Sequence, residues 1–402
     1  MKWASLFIAV MLVSCAGVYG RDVVTDGNRP FAGAAERAAD SSFDGDVAGR
    51  LAAMLPPIDE PIEIRGGLRD TGPVEATPGE YAAPRPARPT DGEPGDRPSS
   101  VLDRLALSYL RHYRLGEEAA VRRLGRVTGT FGDAAVFAFE PPEADRRAPG
   151  SGERPAAIYL HGYLDHSAMN RYPIGELLRR GYTVVAVDLP GHGLSSGERG
   201  SIDDFSDYGE VIEAVVRAIR RGEIAGIAAD APLSAVGHST GAAAIIEHGE
   251  LYGAAFDRIV LVAPLVRLYA FPLARVGVRI ASAIVDALPR RISGSSSNER
   301  YVEFAREHDP LGIYEAPLDW AQAYLEWEER RRELREGSTP VLLLQAGRDT
   351  VVDTGYNTEF LRRAFTHLEV VEYPNARHSL FNEPEHLREG IYERIDEFLR
   401  LR

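Results

Sequence analysis

Lysine is all but missing from this sequence: Lys2 is the sole lysine, so nearly all of the 46 basic residues are arginines. Without an internal lysine the chain offers neither a Schiff-base amine nor the lysine of a phosphate-binding P-loop. Cysteine is as scarce, with Cys15 alone, which excludes an intrachain disulfide and a thiolate zinc cage. The histidines are scattered without zinc-ligand spacing, and no G-x-G-x-x-G follows a strand-like run, so neither a metal nor an organic cofactor is expected. A net charge of -14 opposes nucleic-acid binding. No internal repeat is visible.

What is present centres on Gly237-His238-Ser239-Thr240-Gly241, lying between an apolar strand-like run at 232–236 and an apolar helical one at 242–246. A serine on so tight a strand-to-helix turn is forced outward, where its hydroxyl can attack a carbonyl. Gly237 and Gly241 are needed because a Cβ at either place would meet the neighbouring strand or helix. A second match to the same string, Gly193 to Gly197 around Ser195, is followed by a polar stretch with no helical period and reads as loop.

Two partners follow in order. Asp349 comes just after the apolar run 341–344, and His378 lies on a loop after the run 368–373 and before a final helix. Ser239, Asp349, His378 is the chain order of an α/β-hydrolase triad, with Asp353 the competing carboxylate. In it His378 takes the Ser239 proton, and Asp349 fixes the tautomer and stabilises the imidazolium. Backbone amides must receive the oxyanion, and they are assigned to Tyr163, in the loop after the strand 156–161, and to Thr240. His161 reads as structural, and His166 and His192 at most as lining of the substrate cleft.

These residues, with His161-Gly162, Asp165-His166-Ser167, the segment from Asp188 to Ser195 and Val351-Val352, resemble the monoacylglycerol lipase and lysophospholipase branch of the α/β-hydrolases over about 155–400. The chain departs from the branch at Thr240, where methionine usually stands. The resemblance implies a carboxylester hydrolase acting on mono-acyl lipid esters through an acyl-enzyme. A peptidase or thioesterase on the same fold, and a non-catalytic envelope binding protein, are the alternatives.

The chain opens with Lys2 and an apolar run at 6–13, too short to span as a mature helix and suited to a secretory signal within 1–20. The run leads into Leu12-Val13-Ser14-Cys15, similar to a bacterial lipobox. Cys15 is thus a candidate for lipidation and anchorage in the cell envelope. The alternative is an ordinary signal cut near Gly20 and a periplasmic or secreted soluble protein. Residues 21–100 are poor in large apolar groups and read as a disordered linker, with seven prolines among 71–100; only Val47, Leu51 and Met54 hint at an amphipathic turn or two.

From 101 to 402 the chain reads as one hydrolase domain. An entry helix at 102–115 and an antiparallel pair at 125–130 and 134–139 come first. Strands near 156, 183, 232, 258, 340 and 367 then alternate with helices, which predicts an α/β fold with a mostly parallel sheet and helices on both faces. The stretch 266–338 breaks the alternation and is expected to be a helical cap whose apolar residues, Leu268 to Ile284, wall an acyl pocket. Nothing in the sequence specifies an oligomeric state.

Overall fold

The computed structural model describes residues 43–65, 100–142, 154–290, 294–331 and 334–400. Cys15, the signal segment and the proline-rich stretch lie outside the described residues.

The apolar runs singled out above are the strands of one sheet. In chain order they are β1 (Ile62–Arg65), β2 (Val121–Gly129), β3 (Gly132–Glu140), β4 (Ala156–Leu160), β5 (Thr183–Val187), β6 (Leu233–His238), β7 (Arg258–Val262), β10 (Val341–Ala346) and β11 (Leu368–Tyr373). A small antiparallel pair, β8 (Ala287–Pro289) and β9 (Glu315–Pro317), belongs to the insertion between β7 and β10. The sheet order is β1-β2-β3-β5-β4-β6-β7-β10-β11. Pairing is antiparallel from β1 to β5 and parallel from β5 to β11.

Every residue of β4, β5, β6 and β10 is buried. This follows from helices covering both faces of a parallel sheet, and it explains why these strands read as unbroken apolar runs. Two large apolar clusters, one on each face, form the core. The edge strand β11 carries Glu369 and Glu372 and is only half-buried, a charged edge that discourages pairing with other chains.

Within the stretch 21–100 expected as linker, residues 43–65 are folded instead, and the rest, apart from Ser100, lies outside the described residues. Residues 45–54 form a helix capped by Asp44, whose Oδ1 accepts from Val47 N at 2.9 Å. Its Ala48 and Leu51 are buried, and Phe43 before it packs on Tyr109 and Tyr113 of helix Val101–Tyr113, with ring centroids at 5.5 and 5.9 Å. β1 then joins the sheet antiparallel to β2, with Glu63 paired to Arg123 at 2.8 Å. Low apolar content concealed this because Phe43, Leu51, Leu55 and Ile62 are few yet all buried.

The insertion 266–338 is helical as expected: Phe271–Ala281, Glu299–Glu307 and Leu318–Arg330 flank the β8–β9 pair. Its apolar residues do not all face inward. Phe271, Ala274, Val278 and Ala281 are buried, whereas Leu273, Val276, Ile280 and Ile284 are 44–70 % exposed. Only one side of this helix meets the core, and its outer side mixes Leu273, Val276 and Ile280 with the exposed Arg275 and Arg279. The expected acyl wall is therefore at most the inner face of this helix. Trp320, Tyr324 and Trp327 anchor the helix Leu318–Arg330, packing around Phe205.

Candidate active site

β6 ends at His238 and the next helix starts at Thr240, so Ser239 alone makes the turn. Its φ of 51° and ψ of -112° are strained for a residue with a Cβ. Backbone bonds enforce them: Ser239 N donates to Val262 O at 2.9 Å, and Leu265 N donates to Ser239 O at 3.1 Å. A Cβ at Gly237 would stand 2.7 Å from Ala242 N, and one at Gly241 2.6 Å from His161 O. The elbow is thus packed too closely for any other residue at either position.

His378 reaches this serine from the loop after β11, with Nε2 3.0 Å from Ser239 Oγ. Its Nδ1 is 2.7 Å from Asp349 Oδ2. The other carboxylate oxygen accepts from Val351 N at 2.7 Å and Val352 N at 3.0 Å, which fixes the plane of Asp349. With Nδ1–H donating to the carboxylate, Nε2 is left as acceptor for the serine hydroxyl. Ser239 is 6 % and His378 7 % exposed, so little water competes for these bonds. Asp353 is occupied elsewhere, capping helix Thr354–Ala364 by accepting from Tyr356 N at 3.0 Å.

Ser195 lies apart from this group. Its Oγ donates to Asp188 O at 2.6 Å and accepts from Ala135 N at 2.8 Å, stitching its loop to β3. Asp188 itself accepts from Ser167 N and Leu194 N, at 2.7 and 2.8 Å, so the Asp188 to Ser195 segment is scaffold.

The loop after β4 lies against the elbow: a Cβ on Gly162 would be 3.4 Å from Ser239 Cβ. Asp165 N donates to Gly162 O at 3.3 Å, closing a turn whose third residue, Leu164, has φ of 59°. Tyr163, second in that turn, has its hydroxyl donating to Gly200 O at 2.8 Å and its ring stacked on Trp320 at 3.6 Å. Thr240 is fully buried, and its hydroxyl has no partner among the described residues.

His161 Nε2 accepts from Leu189 N at 2.9 Å, as a structural histidine should. His192 and His166, expected at most to line the cleft, are buried supports instead. His192 accepts from Leu164 N at 3.1 Å, and burial drives its pKa well down, so it stays neutral. His166 pairs with Asp309 of the insertion at 3.2 Å, and Tyr113 donates to the same carboxylate at 2.8 Å. Burial, the largest influence, disfavours the His166 charge, yet Asp309 together with Asp188 and Asp165 outweighs it and raises the pKa.

The sequence reading missed His238. Its Nε2 is 3.0 Å from His378 O, and burial, reinforced by His378, lowers its pKa to about 3. A histidine immediately before the nucleophile was the available signal. A cavity of about 690 Å³ opens beside Glu198 and Arg199 under Val285, Ile313, Pro317 and Leu318, and Ser239 and His378 are not among its walls.

This geometry agrees with comparisons to known proteins. The family model described as serine aminopeptidase, S33, a hydrolase family, matches residues 152–385. Phospholipase YtpA of Bacillus subtilis is 27 % identical over 253 residues, 60 % of this chain and 94 % of that protein. The monoacylglycerol lipase of Mycolicibacterium smegmatis is 24 % identical over 250 residues, 59 % and 85 % of the two chains. In fold, the chain is similar to a soluble variant of Saccharomyces cerevisiae monoglyceride lipase (TM-score 0.55, 18 % identity, 69 % of this chain and 93 % of that one). It is likewise similar to Paleococcus ferrophilus monoacylglycerol lipase (TM-score 0.52, 22 % identity, 62 % and 96 %). The strained serine, its histidine and carboxylate, and a match over more than half of the sequence lead to one assignment: the chain is an α/β-hydrolase of the serine aminopeptidase S33 family.

Proposed function

We propose that the protein is a serine carboxylester hydrolase cleaving mono-acyl lipid esters, monoacylglycerols or lysophospholipids, through an acyl-enzyme. The observation that carries this reading is His378 bridging Ser239 Oγ at 3.0 Å and Asp349 at 2.7 Å. Ser239 Oγ attacks the ester carbonyl carbon while His378 Nε2 takes its proton. The oxyanion is received by the main-chain amides of Tyr163 and Thr240. Collapse expels the alcohol, which takes the proton back from His378. Water activated by the same nitrogen then cleaves the acyl-serine and frees the fatty acid. Asp349 holds Nδ1–H and offsets the transient imidazolium charge.

The lipid class draws on the phospholipase and monoacylglycerol lipase relatives. It draws also on the insertion, where Leu273, Val276, Ile280 and Ile284 are exposed beside the exposed Arg275 and Arg279. No acidic residue occurs between Asp257 and Asp286, in a chain of net charge -14. An apolar stripe flanked by cations suits an anionic lipid surface that presents the substrate. Export and lipidation at Cys15 belong to the same proposal and place the enzyme at the cell envelope. They are tested by mass spectrometry of the mature N-terminus, where an unlipidated start near Arg21 would remove the anchor.

The family description favours one further reading, a peptidase. Turnover of purified protein on a panel of monoacylglycerols, lysophospholipids, simple esters and aminoacyl amides separates the two. The ester reading requires the lipid esters to be hydrolysed far faster than the amides, and Ser239→Ala to hydrolyse neither.

A further inference from the structure

The turn that carries Tyr163 is held in an unfavourable conformation by the cap. Leu164 stands at the third position of the Gly162 to Asp165 turn with φ of 59°, where glycine or asparagine is the ordinary occupant. A branched side chain there persists only when its surroundings over-determine it. Both main-chain groups of Leu164 are engaged. Its N–H donates to His192 Nε2 at 3.1 Å, and its carbonyl accepts from Arg290 Nη1 at 2.6 Å. Arg290 immediately follows β8, is fixed to the opposite strand by Arg290 N donating to Tyr314 O at 2.8 Å, and also reaches Ile313 O at 3.2 Å. The cap grips the neighbouring residue too: Trp320 lies flat on the Tyr163 ring at 3.6 Å and 13°, and is itself held by its indole N–H on Tyr208 Oη at 3.0 Å.

We propose that Arg290 is a positioning residue for the oxyanion hole, through which the seated cap sets the Tyr163–Leu164 turn and so couples cap closure to acyl transfer. The proposal rests on the reading of Ser239 as nucleophile. A charged donor on a carbonyl makes a stronger bond than a neutral one, and here it fixes one end of a strained turn. When β8 and β9 lift, Arg290 leaves with them, the Leu164 carbonyl loses its partner, and the turn that carries the Tyr163 amide, the oxyanion donor of the proposed reaction, relaxes. Seating the cap restores it. Binding a substrate beneath the cap and stabilising its transition state are thereby one event.

The experiment uses the full chain and a soluble butyrate ester, too short to depend on contacts along an acyl chain. Arg290→Met is expected to lower kcat about tenfold to a hundredfold, part or all of the effect of losing one oxyanion donor, with KM within about twofold. The inhibition constant of a short trifluoromethyl ketone, which forms an oxyanion on the serine, should rise by the same factor. Arg290→Lys should recover most of the loss and Arg290→Gln less, with thermal midpoints of all three near that of the parent. An unchanged kcat, a loss carried only by KM, or equal losses in all three variants overturns the proposal. Ser239→Ala serves as the control. If it turns over the ester, the nucleophile reading falls, whereas an inert Ser239→Ala beside a fully active Arg290→Met overturns the coupling alone.

Discussion

His238 Nε2 donates to the main-chain carbonyl of His378 at 3.0 Å, so the residue before the nucleophile holds the backbone of the base that serves it. Burial keeps His238 neutral, with a pKa lowered from 6.5 to about 3. Below pH 6.5 the unfolded chain takes up a proton that the folded one refuses, so stability falls as pH drops through that window, by roughly 1.4 kcal/mol per unit. Glutamine can donate from the same region without titrating. His238→Gln should therefore flatten the loss of thermal midpoint between neutral pH and pH 4, relative to the parent, while retaining most of the activity. His238→Ala should lose kcat. Parallel midpoint curves for His238→Gln and parent would show that the buried imidazole is not the acid-sensitive element.

The two serine motifs should separate by readout. Ser239→Ala is expected to abolish ester hydrolysis with little effect on stability, since it removes a nucleophile and no packing. Ser195→Ala should keep its kcat and unfold earlier, by roughly 1–3 kcal/mol, because it strands a buried Ala135 N–H that now has a partner at 2.8 Å. Asp349→Asn and Asp353→Asn should divide in the same way: about 10⁴ in kcat for the first, and a cap loss of about 1 kcal/mol at most for the second. Kinetics paired with thermal melts decide both cases, and an inactive Ser195→Ala of normal stability would move the nucleophile.

The His166–Asp309 pair joins the loop after β4 to the insertion. Asp309 raises the His166 pKa above 6.5, so that contribution is complete below 6.5 and fades as pH rises through the folded value. The Asp309 pKa is lowered despite burial, chiefly by His166, so its contribution is present above 3.8 and lost on acidification through the lowered value. Asp309→Asn should cost about 3 kcal/mol or more in mildly acidic buffer, as expected for breaking a buried pair, and less in alkaline buffer. A stability difference independent of pH would mean the pair is not ionised.

Leu273→Ser, Ile280→Ser and Ile284→Ser together should lower turnover of monoacylglycerol carried in anionic vesicles at least about tenfold, since each residue removes apolar area from the bilayer contact. Turnover of a soluble butyrate ester should be unchanged. Arg275→Gln with Arg279→Gln should reproduce the loss on anionic vesicles and not on zwitterionic ones. Equal losses on the soluble ester would place these residues in the acyl pocket after all.

The central strands were legible because burial on both faces leaves continuous apolar runs. Ser239, Asp349 and His378 were legible because each follows the C-terminal end of an apolar strand, within one to five residues. The Phe43 to Arg65 segment was not, since a few apolar residues suffice when each is fully covered. Nor was Arg290, whose partner is a carbonyl: a bond from side chain to main chain leaves no pattern in either residue type. The direction of Leu273 and Ile280 was hidden because they share the exposed side of their helix with Arg275 and Arg279, so apolar content alone did not say which side meets the core.

β1 pairs with Val121 to Leu124 and thereby shields one flank of the sheet. A version trimmed to begin at 101 would strip the partners from Val121 to Leu124 and from Arg126 of β2, leaving unmet N–H and C=O groups at the margin, a template for a second copy to dock edge to edge. The smallest self-contained unit of this protein therefore includes Phe43 to Arg65. Any tether at the N-terminus is then attached ahead of Phe43 and the helix 45–54, which pack against helix Val101–Tyr113, and its pull falls on that contact before it reaches the sheet.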